Sequence, residues 1–267
     1  MFKDYTIITD MDGTLLNSKG ILTEENIEAI NEFVLLGGNF TVATGRMLPS
    51  VEKFMDKLNL TIPAILYNGS KIYDFNNKEV IYEGYLEDEK RGIIKRIAKE
   101  TENIGIEVYI EDTIYVYKPC KYTERLSTKN LDVRYEFDED WLYSQKWVKI
   151  LLLGEVKEMD KFEEVYKNVY KAGHITRSGD KFLEILPSST SKGHAVDYLC
   201  ETYKLNKDKL FTFGDAMNDT ELLSVTKNGY CVANGAKRLK EVALNLEVSN
   251  DEHIIRFIVD KIKRIEE

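Results

Sequence analysis

The sequence is poor in the residues that build disulfide frameworks and soft-metal centres. Its 267 residues include three cysteines and three histidines, all far apart and without a CxxC pair. An odd, scattered set of cysteines does not predict a disulfide framework, and no Cys/His cluster has the spacing of a structural zinc site. The scarce residues are Cys120, Cys200, Cys231, His174, His194 and His253.

Long apolar runs and blocks of basic residues are also absent. No stretch is long and apolar enough to predict a membrane-spanning helix. The first residues, MFKDYTIITD, lack the apolar core and cleavage site of a signal peptide. The net charge is −9, and no basic cluster interrupts it, which argues against a nucleic-acid groove. We therefore expect a cytoplasmic protein with no membrane or nucleic-acid partner.

Strands and helices alternate at both ends of the chain. YTIIT, NFTVAT and AILYN have the composition of buried strands, and TEENIEAINEFVLLGG and SVEKFMDKLN are predicted to form the helices between them. After LPSSTSKG the same alternation returns, with LFTFGD and GYCVA as strands. This rhythm is typical of an α/β fold, a Rossmann-like doubly wound parallel sheet covered by helices.

The middle of the chain has a different rhythm. SKIYDFNNKEVIYE and HITRSGDKFLEIL have hairpin patterns, and amphipathic helices such as DEKRGIIKRIAKETEN and EMDKFEEVYKNVYKAG are mixed with further strands. Hairpins mixed with helices favour an α+β unit on an antiparallel sheet. We predict a discontinuous core domain of residues 1–84 and 187–267 that carries an inserted α+β cap domain of residues 85–186.

Asp10 and Asp12 stand one residue apart, directly after the first apolar strand. Like charges this close disfavour each other's ionisation, so a cation or a reaction must account for them. A calcium loop would need Gly at its sixth position and a bidentate Glu at its twelfth. Counted from Asp10, Gly13 is fourth and Ile21 is twelfth, and a strand precedes the loop. The calcium loop is excluded, and a site at a strand end remains.

Polar segments follow four of the apolar strands or strand–helix turns. Ligands of open parallel sheets bind at the carboxyl ends of the strands, near a switch in strand order, so these segments are expected to meet at one edge. The segments are Asp10-Met11-Asp12-Gly13, Thr44-Gly45-Arg46, Ser191-Lys192-Gly193 and Gly214-Asp215-Ala216-Met217-Asn218-Asp219.

The residue types in these segments favour a site for a phosphate dianion. Carboxylates without His or Cys suit a hard cation, most commonly Mg²⁺, which Asp10, Asp215 and a backbone carbonyl can hold. Glycines allow close backbone approach to an anion. Lys192 supplies a positive charge, and neutral hydrogen bonds come from Thr44 and Asn218. A phosphomonoester is the predicted substrate.

The motifs DMDGTLL, ATGR, SKG and FGDAMND, in this order, resemble the four motifs of the haloacid dehalogenase superfamily. The insertion between the second and third motifs resembles the large type II cap of the Cof-like phosphatase branch. The resemblance covers essentially the whole chain. It implies a Mg²⁺-dependent phosphatase of small phosphorylated metabolites that forms an aspartyl-phosphate.

The resemblance also implies a role for each motif residue. Asp10 is expected to be the nucleophile and Asp12 the general acid and base. Asp10, Asp215 and the backbone carbonyl of Asp12 are expected to bind Mg²⁺. A further group is expected to bind the substrate phosphate or to support the site: Thr44, Gly45, Arg46, Lys192 and Asn218 for phosphate, and Asp219 as a supporting acid.

Several readings stay open at this point. Arg46 fits two roles, contact with the substrate phosphate or pairing with an acid, and Asn218 and Asp219 also fit a helix N-cap. The same nucleophile serves a phosphotransferase or phosphomutase, and the fold also serves proteins that bind phosphorylated ligands without turnover. Intact Asp10 and Asp12 count against the last reading.

Overall fold

The structure of the protein is a computed structural model that describes residues 1–170 and 175–266. The chain divides into two compact units. The core unit contains residues 1–46, 51–82 and 191 onward, and the inserted unit contains residues 47–50 and 83–190. That residues 85–186 form an independent domain stays a prediction.

The strands and helices follow one another largely in the predicted order. In chain order the strands are β1 (Thr6–Thr9), β2 (Asn39–Val42), β3 (Ala64–Leu66), β4 (Lys71–Asp74), β5 (Glu79–Glu83), β6 (Gly105–Ile110), β7 (Thr113–Lys118), β8 (Asp132–Arg134), β9 (Lys149–Leu153), β10 (Ile175–Gly179), β11 (Phe182–Ile185), β12 (Leu210–Gly214), β13 (Asn228–Cys231) and β14 (Leu244–Asn245). The α-helices are α1 (Glu24–Leu35), α2 (Leu48–Glu52), α3 (Asp88–Glu100), α4 (Glu139–Ser144), α5 (Val156–Val165), α6 (Lys192–Tyr203), α7 (Thr220–Ser224), α8 (Lys237–Lys240) and α9 (Ile254–Glu266).

The core unit is built on a parallel sheet in the order β14-β13-β12-β1-β2. β1 is the first strand in the chain, β2 lies on one side of it, and β12 lies on its other side. The strand order therefore reverses between β1 and β12, which is where an open α/β sheet forms its binding crevice. The predicted α/β fold with a parallel-sheet core is confirmed.

Apolar side chains of β1 and its neighbours explain why these segments are strands inside the sheet. Ile7, Ile8, Phe40 and Phe213 are completely buried, as expected for parallel strands covered on both faces. The N-terminal helix α1 buries Ala29, Ile30 and Phe33, a spacing that places them on one face.

Two predicted elements are shorter than expected. A helix was predicted over SVEKFMDKLN, but α2 ends at Glu52, near the start of that segment. After it the backbone makes three-residue turns, in which Met55 N donates to Glu52 O and Lys57 N donates to Phe54 O. The strand predicted over AILYN ends at Leu66. Tyr67 and Asn68 instead have positive φ angles of 50° and 54°, which a strand does not allow.

A small three-stranded sheet in the order β3-β4-β5 lies in the chain between β2 and β12 of the parallel sheet. Its β4–β5 hairpin was predicted, with Asn76 and Asn77 in the turn. The Asp74 carboxylate accepts hydrogen bonds from the backbone N–H groups of both asparagines, which fixes the turn.

The inserted unit is an antiparallel sheet with one parallel pair, in the order β10-β11-β9-β6-β7-β8. One face of the central strands is apolar, with Ile106 and Val108 from β6 and Ile150 and Leu152 from β9 in a buried cluster. Helices α3 and α5 contribute Ile94 and Phe162 to that cluster. The predicted hairpin HITRSGDKFLEIL is β10 and β11, except that His174 lies outside the described residues, as do residues 171–173 of the predicted helix before it.

The opposite face of this sheet carries buried charges in pairs. Lys149 Nζ lies 2.7 Å from Glu184 Oε2, and both side chains are almost completely buried. Arg125 forms two hydrogen bonds with the buried Glu107, of 2.6 and 2.8 Å. A buried charge is tolerated when it is paired in this way.

Within the described residues, no helix combines the length and apolar character needed to cross a membrane.

Candidate active site

The reversal between β1 and β12 brings the predicted catalytic segments together. Asp10 follows β1, and its backbone N–H donates to Phe213 O of β12 at 2.9 Å, so the pairing continues to the end of the strand. Asp215 follows β12, and Thr44 follows β2 by two residues. Parallel strands end at one edge of the sheet, which is why residues distant in sequence become neighbours here.

Lys192 joins two of the predicted carboxylates. The side chain is completely buried, and its Nζ lies 2.6 Å from Asp10 Oδ1 and 2.5 Å from Asp219 Oδ1. Lys192 is the first residue of α6, and the Ser191 side chain caps that helix by accepting a hydrogen bond from His194 N. The helix start thus carries the ammonium into the centre of the site.

Asp219 is held from both sides. Its Oδ1 accepts the hydrogen bond from Lys192, and its Oδ2 accepts from the backbone N–H groups of Asp215 and Ala216 at 3.0 and 3.1 Å. The side chain is completely buried. Both oxygens are therefore used within the protein, and the role of Asp219 as a supporting acid stays a prediction.

The charges of the site strongly perturb one another. Burial, followed by the neighbouring carboxylates, raises the pKa of Asp10 well above its usual range, while Lys192 acts in the opposite direction. Burial and the charge of Asp219 raise the pKa of Asp215 to about 7, against a hydrogen bond from Thr14. Burial alone would lower the pKa of Lys192, but Asp10 and Asp219 raise it. Three carboxylates around one ammonium leave an excess of negative charge.

This excess and the donor atoms fit a hard divalent cation. One oxygen from each of Asp10, Asp215 and Asp219 lies within 4.8 Å of the others. Asp219 is fully engaged, whereas Asp10 and Asp215 each accept hydrogen bonds only through Oδ1 within the described part of the chain. Their Oδ2 atoms are the oxygens left for a metal, and an all-oxygen set suits Mg²⁺.

Gly13 packs directly against the second of these carboxylates. A Cβ atom at residue 13 would lie 2.5 Å from Asp215 Oδ2, and the φ angle of Gly13 is +79°. Both the space and the backbone conformation require glycine. The backbone after β1 therefore packs directly against the Asp215 carboxylate.

The residues predicted to bind phosphate lie near one another. Thr44 is buried, and its Oγ1 accepts a hydrogen bond from Arg46 N at 3.2 Å. Asn218 donates from Nδ2 to Asn68 Oδ1 at 3.0 Å, and the Asn68 carboxamide lies against Gly45. Asn68 was not among the predicted site residues. That Thr44, Gly45, Lys192 and Asn218 bind phosphate stays a prediction.

Arg46 is paired with the predicted general acid. Its Nε and Nη2 donate to Asp12 Oδ2 and Oδ1, both at 2.7 Å, which is a bidentate geometry. The Asp12 side chain is 60% exposed and the Arg46 side chain 24% exposed, so the pair lies at the open side of the site. Of the two roles open for Arg46, this structure displays pairing with an acid.

Comparisons with known proteins point in the same direction. Residues 7–258 match the haloacid dehalogenase-like hydrolases. The chain is 28% identical over 285 residues to a 5-amino-6-(5-phospho-D-ribitylamino)uracil phosphatase of Bacillus subtilis, YwtE, with 96% of this chain and 97% of that protein covered.

Solved structures of phosphatases share the fold. BT1666 from Bacteroides thetaiotaomicron, a phosphatase of the haloalkanoate superfamily, superimposes with a TM-score of 0.83 at 16% identity, over 98% of this chain and 96% of that chain. The subclass IIB sugar phosphatase BT4131 gives a TM-score of 0.83 at 18% identity, over 97% and 99% of the two chains. At these identities the likeness shows the fold alone.

Proposed function

The chain belongs to the haloacid dehalogenase-like hydrolases and is an enzyme of their phosphatase class, and from this premise we propose that it is a Mg²⁺-dependent phosphomonoester hydrolase that forms an aspartyl-phosphate. One observation carries the proposal. A completely buried lysine lies between the carboxylate that ends β1 and a second buried carboxylate. If Asp10 lay in an ordinary surface turn and Asp219 only capped a helix, a buried lysine between the two carboxylates would have no purpose.

Asp10 is the proposed nucleophile. Lys192 fixes the orientation of the Asp10 carboxylate through a hydrogen bond of 2.6 Å to Oδ1. In the first step the Asp10–phosphorus bond forms as the bond from phosphorus to the leaving oxygen breaks. In the second step water attacks phosphorus and restores the carboxylate. Lys192 stabilises negative charge on the phosphoryl oxygens in both steps.

Asp12 is the proposed proton carrier. It gives a proton to the leaving oxygen in the first step and accepts one from the attacking water in the second. Its ion pair with Arg46 favours the ionised carboxylate, so proton donation requires that pair to open. A phosphorylated substrate offers Arg46 another anion, and we infer that the exchange of partners frees Asp12.

Asp10, Asp215 and the backbone carbonyl of Asp12 are the residues that would hold Mg²⁺. The bound cation supplies positive charge for the phosphoryl oxygens and keeps Asp10 ionised despite its burial. Asp219 positions this part of the site, because it holds Lys192 and the backbone after β12.

Small phosphorylated metabolites are the proposed substrates. The relatives described above act on a phosphorylated ribitylamino-uracil and on sugar phosphates by their names. A suitable panel therefore contains 5-amino-6-(5-phospho-D-ribitylamino)uracil, hexose phosphates and nitrophenyl phosphate. Inorganic phosphate in solution identifies a hydrolase, whereas a phosphorylated hydroxyl compound identifies a phosphotransferase.

The decisive experiment compares Asp10→Asn with the wild type and with an Asp251→Asn control. Asp251 is exposed, and within the described residues its side chain accepts hydrogen bonds from Ser18 alone. We expect Asp10→Asn to lose about three or more orders of magnitude in turnover, because an amide is neither a nucleophile nor a good Mg²⁺ ligand. When wild-type enzyme is quenched with acid during turnover, mass spectrometry should detect one phosphoryl group bound to the protein. An Asp10→Asn enzyme with about a tenth of wild-type activity would refute the proposal.

A further inference from the structure

The turn Tyr67–Gly69 has a strained backbone at the edge of the site. Its three residues have successive φ angles of 50°, 54° and 99°, although the first two are not glycine. Such a conformation is unfavourable for a tyrosine and persists only where the surroundings impose it. Tyr67 and Asn68 are both essentially completely buried.

This turn contacts three of the four motif segments. Its backbone N–H groups donate to the second motif, from Tyr67 to Arg46 O at 3.1 Å and from Asn68 to Thr44 O at 2.9 Å. Gly69 packs on the third motif so closely that a Cβ atom would lie 2.2 Å from Ser191 O. The third contact is made by the Asn68 side chain.

The Asn68 carboxamide lies between two segments that are predicted to bind phosphate. Its Oδ1 accepts a hydrogen bond from Asn218 Nδ2 at 3.0 Å. On its other side, Nδ2 and Oδ1 lie 3.0 and 3.1 Å from the position of a Cβ atom on Gly45. Within the described residues, Asn68 Nδ2 has no hydrogen-bond partner, so the bond to Asn218 is what its carboxamide contributes.

We propose that Asn68 is a positioning residue that orients the Asn218 amide toward the substrate phosphate. The inference rests on the proposed function. Asn68 Oδ1 holds one N–H of Asn218 Nδ2 and so keeps the Asn218 amide in place, while Asn218 Oδ1 has no partner within the described residues. The second N–H of Asn218 Nδ2 then remains to donate to a phosphoryl oxygen. Without Asn68, the Asn218 amide loses this hydrogen bond and can rotate away from the position in which it donates to the dianion.

A double-mutant cycle tests this coupling. Asn68→Gly removes the carboxamide and keeps a residue that accepts positive φ. The second single variant is Asn218→Ala, and the third protein carries both substitutions. We measure kcat/KM for the best phosphomonoester of the panel and the inhibition constant of inorganic phosphate. Asn68→Gly should weaken phosphate binding about 10- to 150-fold, the range for one hydrogen bond to a charged group. The double variant should match Asn218→Ala, because Asn68 acts only through Asn218.

Lys78→Gly is the matched control, because Lys78 also has a positive φ angle, 55°, and lies in the exposed β4–β5 turn. It should leave both constants unchanged. If Asn68→Gly melts far below the wild type, all four proteins are assayed at a temperature at which circular dichroism shows each of them to be folded. The inference would be overturned if the fold-losses of the two single variants multiplied in the double variant, or if an Asn68 variant kept the wild-type kcat/KM and phosphate inhibition constant. Neither result would contradict the proposed hydrolase activity. A wild type that neither releases nor binds phosphate would overturn both.

Discussion

Asp219→Ala should destabilise the protein far more than a substitution that breaks an equally short ion pair on the surface. Lys192 Nζ and Asp219 Oδ1 are 2.5 Å apart, and both side chains are completely buried. Lys207 Nζ and Asp197 Oδ1 are 2.6 Å apart, but these side chains are 51% and 45% exposed. The two ion pairs have nearly the same N–O distance, so Asp197→Ala is a control for the loss of an ion pair of this length at the surface.

The expected magnitude follows from the contacts of Asp219. Removing one partner of a buried ion pair costs about 3–5 kcal/mol in free energy of unfolding. The backbone N–H groups of Asp215 and Ala216 also lose their acceptor. Two effects offset this loss, because Lys192 keeps Asp10 and the remaining carboxylates repel each other less. We therefore expect a net loss of about 2–4 kcal/mol for Asp219→Ala and less than about 0.5 kcal/mol for Asp197→Ala.

Urea unfolding followed by circular dichroism measures both free energies. The buffer contains EDTA, because a cation bound only to the folded state would add its own stabilisation. Equal losses for the two variants would refute the reasoning that burial decides the strength of the pair. An Asp219→Ala protein more stable than the wild type would show that repulsion among the three carboxylates outweighs the ion pair.

Three further predictions concern catalysis, the metal and the inserted unit. Asp12→Ala at saturating Mg²⁺ should lower kcat/KM by roughly two to four orders of magnitude for a sugar phosphate, and much less for nitrophenyl phosphate, whose leaving group needs little protonation; equal losses would exclude Asp12 as the acid. Mg²⁺ should raise the melting temperature of the wild type but not that of Asp215→Asn. EDTA should abolish turnover, and Mg²⁺ without Zn²⁺ should restore it. If the melting temperature of Asp215→Asn rises as much as that of the wild type, the cation binds elsewhere. Replacing residues 85–186 by a short linker should leave a folded core with little activity, and an unfolded product by circular dichroism would show that the units are inseparable.

The site residues that could be predicted from the sequence are those that directly follow a strand. Asp10 and Asp215 follow apolar strands of a parallel sheet, and topology alone brings such positions to one edge. The haloacid dehalogenase superfamily, its Cof-like branch and the phosphatase class were predicted from these motifs and are confirmed. The assigned residue roles, the need for Mg²⁺ and the cytoplasmic location stay predictions.

The parts that were missed depend on partners supplied by the fold. Asn68 looked like the last residue of a strand, because AILYN does not reveal a left-handed backbone, although the Asn-Gly pair that follows Tyr67 was an available signal for a turn. The partner of Arg46 stayed undecided because an arginine near both an acid and an anion site can pair with either. The choice depends on side-chain positions that spacing in the sequence does not contain.

The paired charges of the inserted sheet have a consequence for how its strands align during folding. The sequence of β9 is KILLL, and if the strand slid by one position, Leu151 and Leu153 would replace Ile150 and Leu152 in the apolar layer and fit it almost equally well. Such a slip would turn Lys149 from its partner Glu184 into the layer of Ile106 and Leu183, where its charge would have no partner. The apolar residues supply the attraction between the strands, and the ion pair rejects the misaligned sheets that the leucines alone would accept.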